Sequence, residues 1–255
     1  MKKTTDILII NLKNAILRRE FMANQFEDLI SKNPNSPLNY EFFTAINGKD
    51  NPHYPLFFKY NEQERYLRKG SRMTLGQLGC FASHYLAWER CFVENKNYII
   101  LEDDAILQEN FMDVWQFCGS PENQFEFFWL THSNARKRKI KPIASLPNSD
   151  TKLERHYFGY SNATGYFITP QAAKKLLDYA DEWIYDLDIT MDRYYENGLD
   201  FLGVNPPCVK PDYSKESQTP IEKGKSQRTL KIKFRREMSN LSDHIKRLCY
   251  WRKNN

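Results

Sequence analysis

The stretch "NYIILEDDAIL", residues 97–107, runs four apolar or aromatic residues, Tyr98 to Leu101, straight into Glu102, Asp103 and Asp104, and then turns apolar again. The apolar run reads as a buried strand. Three adjacent carboxylates repel one another, and each is disfavoured in its ionised form unless a positive charge sits among them. Side chains alternate along a strand, so Glu102 and Asp104 are expected on one face, with Asp103 pointing away. Two carboxylates on one face suit a hard divalent ion, Mn2+ or Mg2+, that needs few protein ligands when a bound diphosphate supplies others. The cluster alone leaves a solvated acidic loop as the alternative.

Upstream, "TLGQLGCFASHYLAWERCFVEN" (74–95) opens on a capping Thr and predicts one long helix. "DILIINL" (6–12) reads as a buried strand, "LRREFMANQFEDLIS" (17–31) as a helix, and "NYEFFTAING" (39–48) as a strand ending in an Asn-Gly turn. Residues 51–72 read as a loop and a short helix. Downstream, "FEFFWLTH" (125–132) and "ATGYFIT" (163–169) read as strands, and "PQAAKKLLDYA" (170–180) as a helix with Pro in its first turn. "DLDITMDRYYENG" (186–198) reads as a further helix ending in Gly, and "LDFLGVNPP" (199–207) closes the set. Residues 133–156, basic, polar and interrupted by prolines, are expected to form a mobile excursion. Strands alternating with helices predict an α/β class with a mostly parallel sheet. Ligands of such sheets bind at the carboxyl ends of the strands, where residues 102–104 lie.

The chain has 255 residues, 41% of them hydrophobic and 15% aromatic, enough for one large domain with an appendage. Five widely spaced cysteines without a C-x-x-C indicate neither a zinc knuckle nor a disulfide scaffold, and point to reduced thiols in a reducing compartment. The apolar run near the N-terminus, Ile7 to Ile10, is too short for a signal peptide, and no stretch reaches the length of a membrane span. A cytosolic protein of bacterial type is therefore expected. Charge is unevenly distributed. Residues 223–255 hold eleven Lys and Arg against Glu237 and Asp243, a balance of +9, while the rest carries −4. A mildly acidic body, 1–222, with a basic tail, 223–255, suggests a polyanionic surface as partner.

"ILIINLKNAILRRE", "FFTAINGKD", "TLGQLGCFASHYLAWE", "YIILEDDAIL", "ATGYFITPQAAKKLL" and "DLDITMDRYY" occur in this order. Together they resemble glycosyltransferase family 25, the bacterial lipooligosaccharide galactosyltransferase family, over most of residues 6–220. The resemblance implies a GT-A-type nucleotide-sugar fold, a divalent metal (Mn2+ or Mg2+) and transfer with inversion at the anomeric carbon. It implies galactose from UDP-galactose as the favoured donor, UDP-glucose second, and a glycolipid acceptor. Two departures stand out: Gln77 where the family often has Glu, and Asp186-Leu187-Asp188 where it often has Pro-Val-Asp.

On this resemblance the metal falls to Glu102 and Asp104, and donor binding to Asn11, Arg18, Asn47 and Asp103. Asn47 in "AINGK" reads equally as a turn former. Asp188 is the candidate general base, because a single displacement needs a group to take the acceptor hydroxyl's proton opposite the leaving diphosphate. An N-terminal helix cap is its bland alternative, and Asp186 its rival. Ser83 and His84 are placed near donor sugar or acceptor, although a histidine on a helix with an apolar stripe is often simply packed. Thr164, Gly165 and Tyr166 follow the same logic: Gly165 permits close backbone approach, and Tyr166 either stacks on a sugar or fills the core. Asp212 is a further metal or phosphate candidate.

In the tail, Phe234, Met238, Leu241, Ile245 and Leu248 form one apolar stripe of a helix, surrounded or followed by Arg235, Arg236, Lys246, Arg247, Arg252 and Lys253. A basic amphipathic helix of this kind lies on anionic membrane surfaces; packing on the protein's own body, or dimerisation, is the competing expectation. The leading reading is a metal-dependent inverting glycosyltransferase, peripheral on the inner face of the bacterial inner membrane. A non-enzymatic carbohydrate or membrane-surface binder on a decayed transferase fold is the alternative. Nucleic acid is not expected as a partner, because no helix-turn-helix, RNP or zinc motif accompanies the charge.

Overall fold

Alternating aliphatic side chains with both faces covered organise the sheet. The structure, a computed structural model, describes residues 5–132, 139–147, 149–212, 214 and 229–254. Strand β1 (Thr5–Asn11) leads through α1 (Ile16–Lys32) to β2 (Tyr40–Thr44). A 3₁₀ turn (Pro55–Lys59) and α2 (Glu62–Lys69) precede α3 (Leu75–Glu94). Next come β3 (Asn97–Glu102), β4 (Ala105–Leu107), α4 (Phe111–Cys118), β5 (Phe127–Trp129), β6 (Ile140–Ser145) and β7 (Lys152–His156). Strand β8 (Gly165–Ile168) feeds α5 (Pro170–Tyr179), α6 (Leu187–Met191) and α7 (Tyr194–Asn197). The described chain closes with β9 (Leu202–Asn205), β10 (Val209–Pro211) and α8 (Leu230–Asn254).

Eight strands form one sheet in the order β2-β1-β3-β8-β5-β9-β7-β6. Leu8, Ile10, Tyr98 and Ile100 point into a core with α3 and α5 that includes Phe81, Trp88, Tyr166 and Trp183. Ile7, Ile9, Ile99 and Leu101 point the other way, against Met22 and Phe26 of α1 and Phe111 and Phe117 of α4. Each fully buried side chain of this size contributes about 1.5–3 kcal/mol, so the two layers fix the strands firmly.

The expected mostly parallel sheet is corrected to a mixed one. β2-β1-β3 is parallel, and so is β5-β9. β8 runs antiparallel to both β3 and β5, and β7 runs antiparallel to β9 and to β6. An apolar run buried on both faces looks the same in either direction, so sequence pattern cannot orient β8.

Two local expectations also change. Within 133–156, the described residues form the β6–β7 hairpin at the sheet edge, with Leu153 and His156 buried, rather than an excursion; residues 133–138 and 148 lie outside the described residues. The single helix expected over 186–198 is two short helices. Its chain breaks where the Asp192 carboxylate turns back to accept from the Tyr160 and Ser161 backbone N–H groups, both at 3.0 Å.

Helix ends follow their sequence signals. Thr74 Oγ1 accepts from Gln77 N (3.2 Å) while Gln77 Oε1 accepts from Thr74 N (2.8 Å), a capping box that starts α3. Thr169 caps α5 with Pro170 at its first turn.

Helix α8 packs on the body through its polar and aromatic face. Arg193 holds Asp243 with two bonds of 2.7 and 2.8 Å, and Lys246 reaches Glu196 at 2.6 Å. The Tyr250 ring packs against Tyr194, and Trp251 edges onto Tyr157. The apolar stripe points the other way: Phe234, Met238, Leu241 and Ile245 are 69, 50, 52 and 52% exposed. Among the described residues no helix is long and apolar enough to cross a membrane.

Candidate functional site

The carboxyl ends of β1 and β3, the first half of α3 and the loop 45–49 enclose a cleft of about 470 Å³. Two glycines make it possible. A Cβ on Gly48 would lie 1.9 Å from the Leu75 carbonyl oxygen, and a Cβ on Gly79 would lie 2.4 Å from that of Ile46. The loop therefore lies flush on α3, where no side chain fits between. Ser83 pins it, donating to the Gly79 carbonyl (2.7 Å) and accepting from Ile46 N (2.8 Å). The hydroxyl is committed to backbone, so Ser83 shapes the wall.

All three acids border this cleft. The expected alternation of faces fails because β3 ends at Glu102, and Asp103 and Asp104 occupy a turn. Asp103 is buried and accepts from Asn11 Nδ2 (2.8 Å) and Arg18 Nη1 (2.7 Å). Asn11 and Arg18 thus meet at the cleft through Asp103. Asp104 lies 3.6 Å from Arg18, and its Oδ1 is buried with no hydrogen-bond partner among the described residues. Burial first, and then the Glu102 charge, push its carboxyl up to about 7. The chain supplies too little positive charge there, and a buried oxygen lacks a partner; both facts fit a divalent ion on Glu102 and Asp104. Strand β10 pairs with β4 and brings Asp212 beside Asp104, with the Asp212 N–H donating to the Asp104 carbonyl (2.9 Å). Asp212 lines the cleft too.

Helix α3 contributes Cys80 and His84 from one face. His84 is buried, its Nδ1 2.8 Å from Tyr166 Oη, which also accepts from Trp88 Nε1 at 2.8 Å. His84 Nε2 lies 3.5 Å from Glu102 Oε1. Burial, with Glu102 next, raises the Cys80 thiol well above its ordinary value, so it is a neutral thiol. Tyr166 is fully enclosed and reaches the cleft only through His84, so the core alternative is the one the fold realises for it. Thr164 is also buried, and its carbonyl accepts from Glu102 N (2.9 Å). Gly165 makes room for Leu101 and Val209, neighbours in the protein itself. Asn47 borders the cleft as a turn residue, its Oδ1 accepting from Lys49 N (3.1 Å) and its Nδ2 donating to Asp50 (2.7 Å).

Asp186 and Asp188 separate clearly. Asp186 stands at the N-terminal end of α6, and its carboxylate, which bonds none of the helix N–H groups, is held by Arg65 (3.0 Å) and by Gln77 Nε2 (2.8 Å). Gln77 therefore joins the start of α3 to Asp186 without needing a charge. Asp188 makes only a bond to its own helix, accepting from Ile189 N at 2.8 Å among the described contacts. Burial, and then the Asp186 charge, raise its carboxyl above the ordinary range. Its charge is felt at Cys80, and it feels Glu102 in turn, although it is not in the wall of the cleft. Beyond it, a second cavity of about 530 Å³ is bordered by Ile189, Lys69, Ser161, Asp192 and Arg247 of α8. Sequence reasoning did not single out Cys80, Lys49 or Arg65. Cys80 was legible in hindsight as the i–4 neighbour of His84 on a helix; Arg65 carried no local signal.

The family model described as "Glycosyltransferase family 25 (LPS biosynthesis protein)" matches residues 4–191. The lipooligosaccharide biosynthesis protein lic2B of Haemophilus influenzae is 31% identical over 181 residues, 66% of this chain and 60% of that protein. Lipooligosaccharide biosynthesis protein lex-1 of the same species is 25% identical over 282 aligned positions, covering 94% of this chain and 88% of its own. A glycosyltransferase 25 family member of Aedes aegypti is 29% identical over 179 residues, 68% of this chain but 28% of its own length.

Proposed function

This chain belongs to glycosyltransferase family 25, and on that premise we propose that it transfers a hexose from a nucleotide sugar to the growing oligosaccharide of a bacterial lipooligosaccharide. Galactose from UDP-galactose is the favoured donor and UDP-glucose the second; the names of the Haemophilus relatives support the acceptor class. The observation that carries the reading is the under-neutralised pair Glu102 and Asp104 in a cleft at the strand ends. We assign residues 1–222 to a GT-A-type catalytic domain and 223–255 to a basic tail.

Glu102 and Asp104 would hold Mn2+ or Mg2+, which supplies charge neutralisation for a leaving diphosphate. Arg18 and Lys49 border the same space and add positive charge. Asn11, Arg18 and Asp103 form one hydrogen-bonded unit that orients the donor side of the cleft. Asp188 is the general base of an inverting displacement. Its raised carboxyl pKa, with no side-chain cation bonded to it among the described residues, suits proton acceptance better than Asp186, which Arg65 and Gln77 occupy. The second cavity is bordered by Ile189 and Asp192, neighbours of Asp188 in sequence, and is where we place the acceptor sugar.

The outward stripe of α8 supports attachment to an anionic membrane. Its body-facing side is already satisfied, so the stripe is left for another apolar phase, and basic residues flank it. Peripheral attachment at the inner face of the inner membrane would place the enzyme in the plane of its glycolipid acceptor.

A panel of nucleotide sugars assayed for Mn2+-dependent release of nucleoside diphosphate tests the reaction. Release from UDP-galactose, abolished by EDTA and by Asp104→Ala, is expected. No release from any donor would favour the sugar-binding alternative. For the membrane, full-length protein carrying Phe234→Ser, Leu241→Ser and Ile245→Ser should fold but no longer float with anionic vesicles. Equal flotation of both proteins would remove the stripe from the account.

A further inference from the structure

We propose that Cys80, His84 and Glu102 form a binding site for a thiophilic divalent ion, Zn2+ or Co2+, at the α3 wall of the cleft. The three offer a sulfur, an imidazole nitrogen and a carboxylate oxygen, all within 4.8 Å of one another. Cys80 and His84 are four apart on α3, so helical geometry stacks them on one face. A tetrahedral ion with bonds of about 2.0–2.3 Å requires ligand atoms roughly 3.3–3.6 Å apart. His84 Nε2 stands 3.5 Å from Glu102 Oε1, and Cys80 Sγ stands 3.9 Å from the same oxygen. Two of the three separations are therefore close to the bound geometry, and the third is within 4.8 Å.

A second observation is independent of the spacing. His84 is 1% exposed, and its Nε2 has no hydrogen-bond partner among the described residues. Its other nitrogen is held by Tyr166, as the second nitrogen of a metal-bound histidine usually is held. In the tautomer that donates the Nδ1 proton to Tyr166 Oη, the Nε2 lone pair faces the Glu102 carboxylate.

Ligation releases one proton, from the Cys80 thiol, to solvent. The thiolate and the Glu102 carboxylate then balance the two charges of the ion, and His84 binds neutral. All three residues border the cleft, so a fourth ligand position remains for water or a substrate oxygen. Sulfur and imidazole donors favour Zn2+ over Mg2+ or Mn2+. Because Glu102 is also the proposed ligand of the hard ion, the two ions exclude one another there. Zn2+ would act as an inhibitor of the loaded enzyme.

Co2+ titration of the full-length protein carrying Cys249→Ser, which removes the exposed thiol, tests the site without nucleotide sugar. A thiolate-to-cobalt absorption band that saturates at one equivalent is expected. Cys80→Ser should abolish the band. Tyr166→Phe should keep it while weakening affinity about tenfold. Asp104→Asn should leave the band in place. Absence of the band, its survival in Cys80→Ser, or its loss in Asp104→Asn would overturn the assignment. Alkylation of Cys80 in the Cys249→Ser protein at alkaline pH, located by peptide mapping, gives a second readout: Zn2+ should slow it at least tenfold, and an unchanged rate would also overturn the proposal. Neither readout involves sugar transfer, so this proposal and the proposed reaction fail separately.

Discussion

The β2-β1-β3 half of the sheet and the β9-β7-β6 half are built from different sequence material and do different work. The first is three parallel strands, of which β1 and β3 are buried on both faces, and it ends in the acids of the cleft. The second is antiparallel beyond β9 and meets only the end of the tail helix, where Arg155 of β7 pairs with Asp200 and donates to the Asn254 carbonyl; residues of α2 and around α7 hold the rest of α8 through Glu64–Arg235, Arg193–Asp243 and Glu196–Lys246. Parallel strands align their carboxyl ends, so charge and backbone groups converge at one rim. Antiparallel strands alternate their ends and gather no such rim. One half concentrates chemistry, and the other presents a surface.

The sharpest way to break that division is Asp188→Asn. Asn retains the bond to Ile189 N but cannot take a proton, so kcat should fall about 10² to 10⁴-fold with donor binding little changed. The direction of the carboxyl shift adds a control. Asp188 holds its proton more tightly when folded than unfolded, so its contribution to stability is full below the ordinary Asp range and is lost as pH rises through the raised value. The Asn variant should therefore melt no lower than the parent at neutral pH. In the parent, the acid limb of kcat should lie above the ordinary carboxylate range. A kcat equal to the parent's would move the base elsewhere.

Leu153→Ala probes the other half. Leu153 is fully buried in β7, and the substitution should cost about 2–5 kcal/mol in urea unfolding. A mobile excursion, the expectation from sequence, would lose almost nothing. Nucleotide-diphosphate release by the folded variant should be close to normal, because the acids lie on the far half of the sheet. Gly48→Ala should reverse that pattern. Its new methyl meets the Leu75 carbonyl, so the loop must lift from α3. A stability cost of about 1–3 kcal/mol should come with a raised KM for the donor. An unchanged KM would mean that the loop does not shape the donor side.

The same contrast explains what the sequence could convey. β1, β3, α3 and its Thr74–Gln77 capping box were legible because apolar period and local caps are short-range signals. The acids 102–104 stood out as a strand-end cluster, while Asn11, Arg18 and Asp188 came through the family resemblance, and all but Asp188 border the cleft or meet there through Asp103. The direction of β8 was not legible, because Tyr166 and Phe167 are buried whichever way the strand runs. The β6–β7 hairpin was missed because its strands carry Lys141, Lys152, Glu154 and Arg155, so the few apolar residues that meet the core, Ile143, Ala144 and Leu153, show no regular period. Partners distant in sequence, Arg65 with Asp186 or Gly48 with Gly79, leave no periodic trace at all.

The smallest expected effect on stability belongs to the tail. The stripe on α8 has the same spacing as a core-facing helix, so periodicity alone would bury it against the body. The fold instead seats α8 by Arg193–Asp243, Lys246–Glu196 and Tyr250 on Tyr194, and these occupy the opposite side of the helix. Leu241→Ser changes a half-exposed side chain on the outward face, so unfolding should shift by no more than about 0.5 kcal/mol. Tyr250→Ala, on the seated face, removes an aromatic contact with Tyr194 and should cost more than Leu241→Ser by at least about 1 kcal/mol. Measured side by side in urea, the two variants separate a helix seated on its polar face from one seated on its apolar stripe. Should Leu241→Ser prove the more damaging, the stripe is core and the anchoring half of the molecule has been read inside out. With the expected ranking, the stripe is free in the folded monomer, and vesicle flotation of Leu241→Ser then reads membrane attachment without interference from unfolding.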